Sequence, residues 1–208
     1  MKIKVVFFFT VFMSLSFFVF GENITFSADK MSGNAGENSD YTKLEGNSEI
    51  NTAQMAIRAD TIELSGKDFQ YISASGAVSG NHIEGGFDFY CEKLTYDRVS
   101  KIALLEGNVK MEDAENEVVA ESQFIEYNEK NDIAVLQIGI NLKKNDSVCT
   151  AAFAIYRKKS KLLEMSGNPQ VIRGDDTFRA QEIIFNIDTE EITMDGKVKG
   201  KVTDKNEG

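Results

Sequence analysis

The chain lacks most of the side chains on which catalysis and metal binding depend. Its 208 residues include one histidine, two cysteines and no tryptophan. The single imidazole, on His82, cannot build a histidine-based triad or a metal cluster, and its Gly-rich surroundings predict a solvated turn residue. The 33 acidic residues lie in predicted turns and at outward strand positions, so they mark no acid–base pair. We therefore expect no enzyme, no metal site and no cofactor.

Phosphate-binding loops and basic surfaces are also missing. The glycines between Gly76 and Gly86 match no P-loop or dinucleotide fingerprint. The formal net charge is −10 and becomes −12 without residues 1–21, which carry Lys2 and Lys4 and no acid. Such a surface repels nucleic acid and disfavours electrostatic docking on anionic lipid headgroups. Any bound lipid is expected to be held through its apolar part.

The one long apolar run stands at the start of the chain. Two lysines precede a nearly unbroken apolar stretch, residues 5–20, and Val19 and Gly21 suit the −3 and −1 positions of a cleavage site. This layout predicts a secretory signal peptide over residues 1–21. The alternative is an uncleaved membrane anchor, although the run is shorter than the usual membrane span.

Export places the two cysteines, Cys91 and Cys149, in an oxidising compartment where a disulfide is possible. An intervening repeat would separate them by roughly 10 Å, whereas disulfides rarely bridge Cα atoms beyond about 7 Å. We therefore favour two small core residues over a disulfide.

A regular repeat dominates the rest of the chain. Alternating runs with a period of two end at a glycine six times. The glycines are Gly46, Gly76, Gly107, Gly139, Gly167 and Gly196, so the steps between them are 30, 31, 32, 28 and 29 residues. A second pattern precedes five of them: small, usually polar, any, aliphatic, any, then large apolar or aromatic. Its copies are residues 59–64, 91–96, 122–127, 151–156 and 180–185.

Each unit therefore predicts a strand, a polar turn and a second strand that bends at its glycine. No unit can bury its apolar face alone, so about six β-hairpin repeats must stack into one all-β domain over residues 22–208. A jelly roll, a sandwich and a β-solenoid all satisfy this pattern. Residues 31–40 predict an irregular loop, and residues 203–208 predict a polar tail.

The residues of these units resemble the OstA-like (LptA) family of lipopolysaccharide-transport proteins. The resemblance is clearest at 91–111, with Leu-Glu-Gly-Asn-Val at 105–109, recurs at 59–78 and 180–202, and covers roughly residues 24–202. It implies a twisted, open-ended β-jelly roll with a hydrophobic groove for the acyl chains of lipopolysaccharide or a related envelope glycolipid. It also implies end-to-end assembly with inner-membrane anchored and outer-membrane proteins of the same fold, LptC and the LptD N-terminal domain, across the periplasm.

Two positions depart from the family pattern. Gln137 stands where the other copies have an apolar residue, and its copy is longer than the pattern by one residue. Pro169 stands where valine is usual, which predicts an edge or a bulge.

Two sets of residues are expected to carry the function that the resemblance implies. The predicted lipid-binding interior consists of Ile62, Leu64, Leu94, Tyr96, Leu105, Ile125, Tyr127, Tyr156, Met165, Ile183, Phe185 and Met194. A plain packed core would use the same residues. Exposed edge strands are templates for β-augmentation, and the predicted docking edges carry Ile24, Phe26, Val198 and Val202. These edges predict a head-to-tail homo-oligomer.

Three functions follow for testing. The first is a periplasmic bridge that shields acyl chains, with a membrane-anchored LptC-like relative as its variant. The second is a structural β-repeat scaffold of the envelope with a filled core. The third, an envelope hydrolase, has no nucleophile–base set to support it. An open or a filled interior distinguishes the first function from the second.

Overall fold

The computed structural model of the protein describes residues 23–34, 40–83 and 85–203. The predicted signal segment lies outside these residues, as does the predicted tail after Thr203. Within the described ranges the chain is almost entirely antiparallel β-sheet, with one short turn of 3-10 helix at Lys67–Phe69. No helix among the described residues has the length and apolar character needed to cross a membrane.

Sixteen strands form one sheet. They are β1 (Thr25–Ser27), β2 (Lys30–Gly33), β3 (Tyr41–Asn51), β4 (Met55–Ser65), β5 (Tyr71–His82), β6 (Phe87–Asp97), β7 (Ile102–Asp113), β8 (Val118–Asn128), β9 (Ile133–Lys144), β10 (Ser147–Arg157), β11 (Leu162–Ser166), β12 (Gln170–Arg173), β13 (Asp176–Arg179), β14 (Glu182–Asn186), β15 (Ile192–Asp195) and β16 (Lys199–Lys201).

These strands make a single meander of twelve arms. Eight arms are the long strands β3 to β10. The other four are the pairs β1 with β2, β11 with β12, β13 with β14, and β15 with β16, each of which lies along one neighbouring arm. The first and last arms each leave one edge unpaired among the described residues, so the sheet is open. The predicted all-β, open-ended fold is confirmed.

A crease crosses every arm near its middle. In β7 the ladder with β8 is interrupted between Glu106 and Val109, and the two residues between them, Gly107 and Asn108, have φ of +78° and +45°. The same interruption recurs in the other long arms. The crease divides the sheet into two leaflets, which pack face to face around the hydrophobic core.

The repeat pattern of the sequence follows from the space available at this crease. Inside, where the leaflets converge, the positions hold small residues such as Ala59, Cys91 and Ser122, all buried. On the outer face, the residue that follows each small one covers the glycine of the next arm. Glu92, which follows Cys91, is an example: a methyl group on Gly107 would lie 2.9 Å from the Cβ of Glu92. The Asn108 amide donates to Glu92 Oε1 at 2.6 Å. Size and conformation together therefore select glycine.

The structure corrects the register of the third copy. Between Gln137 and Ile140 the left-handed pair is Ile138 and Gly139, with φ of +67° and +66°. Ile138 therefore occupies the first crease position, and Gly139 corresponds to the asparagine of other copies. When Ile138 replaces Gly139 in the count, the steps between successive first crease positions become 30, 31, 31, 29 and 29 residues. The apparent polar substitution disappears, because Leu136 takes the buried position and Gln137 faces outward.

Two other expectations concern places where the ladder is interrupted. Pro169 lies at the crease between β11 and β12, outside both strands, as the bulge prediction requires. The predicted loop over residues 31–40 is wrong at its start, because β2 extends to Gly33 and pairs with β3 from Met31↔Leu44 to Gly33↔Thr42. Residues 35–39 lie outside the described ranges.

Ile138 is a β-branched residue in a left-handed conformation, which costs roughly 1–2 kcal/mol. We predict that Ile138→Gly stabilises the protein by about 1 kcal/mol, since relief of strain exceeds the entropy cost of glycine. Gly107→Ala should destabilise it by about 2 kcal/mol, through the same strain and the contact with Glu92. Urea unfolding of both variants measures these changes. If Ile138→Gly is instead destabilised, the Ile138 side chain must make a contact in the wild type that is worth more than the backbone strain.

Candidate functional site

The interior between the leaflets contains the residues predicted to bind lipid. Eleven of the twelve are buried: Ile62, Leu64, Leu94, Tyr96, Leu105, Ile125, Tyr127, Tyr156, Met165, Ile183 and Phe185. Met194 is partly buried and packs against the same core. Their inward orientation is therefore observed, whereas a lipid-binding role stays a prediction.

The interior is filled in this conformation. A cavity between the leaflets has a volume of about 20 Å³, room for one water molecule. It is lined by apolar side chains of both leaflets, among them Phe87, Val118 and Leu142 from one and Leu136 and Tyr156 from the other. The side chains of opposite leaflets are thus in contact, as in an ordinary packed core.

The free ends of the leaflets meet along a seam opposite the crease. Lip A consists of the turns at residues 52–54, 83 with 85–86, 114–117, 145–146 and 174–175, together with the strand-end residue before each turn. Lip B consists of the turns at residues 66–70, 98–101, 129–132, 158–161 and 187–191. A straight strand of eleven residues would separate the two lips by about 35 Å. Side chains of the two lips nevertheless touch, because each arm folds back at the crease.

One contact across the seam joins Lys158 of lip B to lip A. Its Nζ lies 2.7 Å from Asp113 Oδ2 and donates to the Gly85 carbonyl at 2.5 Å. The two side chains are only 16% and 8% exposed. Asp113 also accepts from the Asn116 amide at 2.8 Å, so the carboxylate is held by its own hairpin. One ammonium therefore ties three turns together.

A second contact joins His82 of lip A to Glu129 of lip B. The predicted solvated turn histidine is wrong, since His82 is 2% exposed. Its ring stacks on Phe87 with centroids 5.0 Å apart, and its Nδ1 accepts from the Gly85 amide at 2.6 Å. Its Nε2 lies 3.0 Å from Glu129 Oε1, across the seam.

The carboxylates of lip B are held in their ionised form. Burial raises the pKa of Glu129, but His82, Tyr96 and Lys101 favour the carboxylate more strongly and lower it overall. Burial likewise opposes ionisation of Asp132, yet the Tyr127 hydroxyl, which donates at 2.7 Å, helps to lower the pKa of that carboxyl.

The seam continues toward the end of the chain. Arg173 of lip A donates to the Glu190 carbonyl of lip B at 2.5 Å, and the Asn145 amide donates to Glu190 Oε1 at 2.9 Å. Polar pairs therefore close the seam at three places along its length.

Sequence reasoning missed these seam residues, although a signal for them exists. Counted from the first crease position (Gly46, Gly76, Gly107, Ile138 or Gly167), the sixth residue lies where the arm reaches lip A. These residues are Thr52, His82, Asp113, Lys144 and Arg173. Strand alternation places them on the inner face, where an apolar side chain is expected. Four titratable residues in an inward column indicate polar contacts that close the structure at this end.

Both cysteines are free and buried. Burial raises the pKa of Cys91 to about 11 and that of Cys149 to about 12, so neither thiol is reactive at neutral pH while the interior is closed. Within the described ranges no group of three histidine, cysteine or acidic side chains is placed to hold a metal ion.

The pKa of Glu129 makes the seam sensitive to acid. Because its folded pKa is lowered, ionised Glu129 stabilises the fold above its unfolded pKa of about 4.3, and this stability is lost as the pH falls through the folded value. We therefore expect Glu129→Gln to be less stable than wild type near neutral pH, with the difference shrinking in acid. Urea unfolding across the pH range measures it, with Glu126→Gln on the outer face of the same arm as control. A difference independent of pH would contradict the ionic role.

About half of the chain matches a known protein family. Residues 91–191 match the family described as "LptA/(LptD N-terminal domain) LPS transport protein", which confirms the relationship predicted from the sequence. This segment runs from the crease of β6 to the turn after β14. It contains Asp113, Glu129 and Lys158 of the seam, whereas His82 precedes it. No curated protein matches the chain significantly.

A solved structure is also similar: LptH, the LptA homologous periplasmic component of the conserved lipopolysaccharide transport device from Pseudomonas aeruginosa. The match covers 88% of this chain and 96% of that chain, at 9% identity and a TM-score of 0.27.

Proposed function

From the premise that this is an LptA-like chain whose residues 91–191 carry the family's sequence pattern, we propose that it is a periplasmic bridge for an envelope lipid. The acyl chains of lipopolysaccharide or a related glycolipid would lie between the two leaflets, with the headgroup in water at the seam. The driving force is apolar burial, about 0.8 kcal/mol for each CH₂ group, and no covalent step is needed.

The observation that carries this proposal is the unequal strength of the two sides of the interior. At the crease the leaflets are joined by twelve continuous arms. At the seam, backbone hydrogen bonds among the described residues link turns only within one lip, such as Ile83 to Gln54 in lip A and Glu129 to Lys101 in lip B. The leaflets are therefore able to separate at the seam without breaking a strand pair.

A filled interior requires such a separation. Acyl chains would replace the contacts that the leaflets now make with each other, so apolar surface stays covered in both states. The filled core also favours the second function, a structural scaffold of the envelope, in which the leaflets never part. The two functions differ in whether interior side chains ever meet an amphiphile.

A photo-crosslinking benzophenone side chain placed in β6 tests this directly. We expect incorporation at Tyr96, which faces the interior, to capture lipid in cells, because acyl chains would lie against that position. The matched control is Tyr90, an aromatic residue of the same strand that is 46% exposed on the outer face. Lipid is identified by mass spectrometry of the purified adduct.

No adduct at Tyr96 in a variant that retains the wild-type circular dichroism would favour the scaffold. Equal capture at both positions would indicate nonspecific contact with membrane lipid.

The unpaired edges of the first and last arms support assembly with chains of the same fold. Phe26 lies in β1 and is 45% exposed, and Ile24 precedes that strand. At the other edge Val198 and Val202 flank β16 and are 53% and 72% exposed. We propose that these edges pair with a second copy or with anchored and outer-membrane partners, extending the interior from one chain to the next.

We expect concentration-dependent association in sedimentation velocity. Phe26→Lys should weaken it, because a charge on an edge strand opposes strand pairing. Tyr71→Lys provides a control with a similarly exposed aromatic residue on a central arm. A strict monomer at high concentration would count against homotypic docking.

A further inference from the structure

We infer that the Asp113–Lys158 ion pair is a latch that controls opening of the seam, and that acyl chains enter beside it. This inference rests on the proposed function for the entering molecule, but the latch itself is testable without any lipid.

The pair lies where the two lips are most closely tied. Lys158 Nζ contacts Asp113 Oδ2 at 2.7 Å and the Gly85 carbonyl at 2.5 Å. One lip B side chain thus holds two neighbouring hairpin tips of lip A, one that includes Gly85 and one at residues 114–117. His82 and Glu129 add the adjacent contact at 3.0 Å. Separation of the leaflets at this point has to break both.

A small cavity lies directly behind the pair. Asp113 and Lys158 both line this void between the leaflets, together with Tyr127. The facing residues Ala120 and Ala134 are short, so the leaflets are incompletely filled at the place where the lips are tied. An acyl chain that enters there meets apolar walls and displaces few packed side chains.

The shielding of the pair makes its opening cooperative. A shielded ion pair is strong while both partners are present, and it loses its attraction once water reaches the separated charges. The latch is therefore either closed and dry or open and solvated. The exposed ion pairs of the outer face contribute little by comparison.

The two native thiols report opening without a ligand. Cys149 lies on the inner face of the leaflet that ends at lip A, Cys91 lies on the inner side of the crease, and both are buried. A water-soluble disulfide reagent, Ellman's reagent, reaches them only when the leaflets part. The rate of labelling therefore measures the population of the open state.

The decisive variant is the double substitution Asp113→Asn with Lys158→Gln, which removes both charges and leaves no unpaired buried charge. We expect thiol labelling to be about tenfold faster than in wild type, the factor that corresponds to loss of one charge-assisted contact. The exchanged pair, Asp113→Lys with Lys158→Asp, should return the rate toward wild type. Glu49→Gln with Arg58→Gln removes an exposed ion pair of 3.1 Å on the outer face and should leave the rate unchanged.

Global destabilisation is separated from latch opening by a core variant. Ile62→Val loosens the core in β4, away from residues 113 and 158, and urea unfolding gives the loss of stability of each variant. The labelling rates of the two variants are then compared after correction for their losses of unfolding free energy. If the rate rises no more in the latch variant than in Ile62→Val, the latch is overturned.

A second measurement tests entry. Binding of 11-(dansylamino)undecanoic acid, followed by fluorescence, should be about tenfold faster in the latch variant. Binding at the same rate in all variants would overturn entry at this point while leaving the proposed function standing. Faster thiol labelling with no binding by any variant would confirm the latch and count against the proposed function.

Discussion

The structure depends on one local constraint: two successive residues with positive φ in the middle of every second arm. This pair bends the sheet along a line that crosses all of its strands, so the arms turn back and form two leaflets. The glycine column, the small inner column and the polar outer column of the sequence are three consequences of this bend. Ile138 shows how strong the constraint is, because the chain accepts a β-branched residue in a left-handed conformation rather than lose it.

The sequence contains most of this architecture. Period-two alternation identifies the inner face, and the roughly 30-residue glycine period identifies the repeat. One register was wrong, at Gly139, because the glycine there serves the second crease position instead of the first. The recurrence of a glycine is thus a weaker guide than the spacing of the buried aliphatic residues beside it.

The partners that meet across the seam could not be predicted from these patterns. Asp113 and Lys158 are 45 residues apart, and their contact depends on the angle at which the leaflets close, which is set by side-chain packing along the whole crease. His82 illustrates the same limit: a histidine near glycines predicts a solvated turn, but His82 ends β5 and is buried against Tyr127 and Glu129 of a distant arm. Whether the interior is filled also lies beyond pattern, since a packed core and a lipid groove require the same residues.

The two sides of the interior differ in kind. Along the crease, the leaflets are joined by peptide bonds, and along the seam by side chains of opposite charge. A conformational change that opens the seam keeps the hydrogen-bond ladder of each leaflet intact, so it costs apolar contact and a few polar pairs instead of secondary structure.

The meander of repeated arms has a further consequence for length. Each arm adds about 4.8 Å along the direction of stacking, so the whole meander extends over roughly 50 Å. Duplication or loss of one repeat changes this span by about 10 Å and leaves every local contact type in place. Evolution can therefore change the length of such a protein in steps of one hairpin, without redesign of its interior.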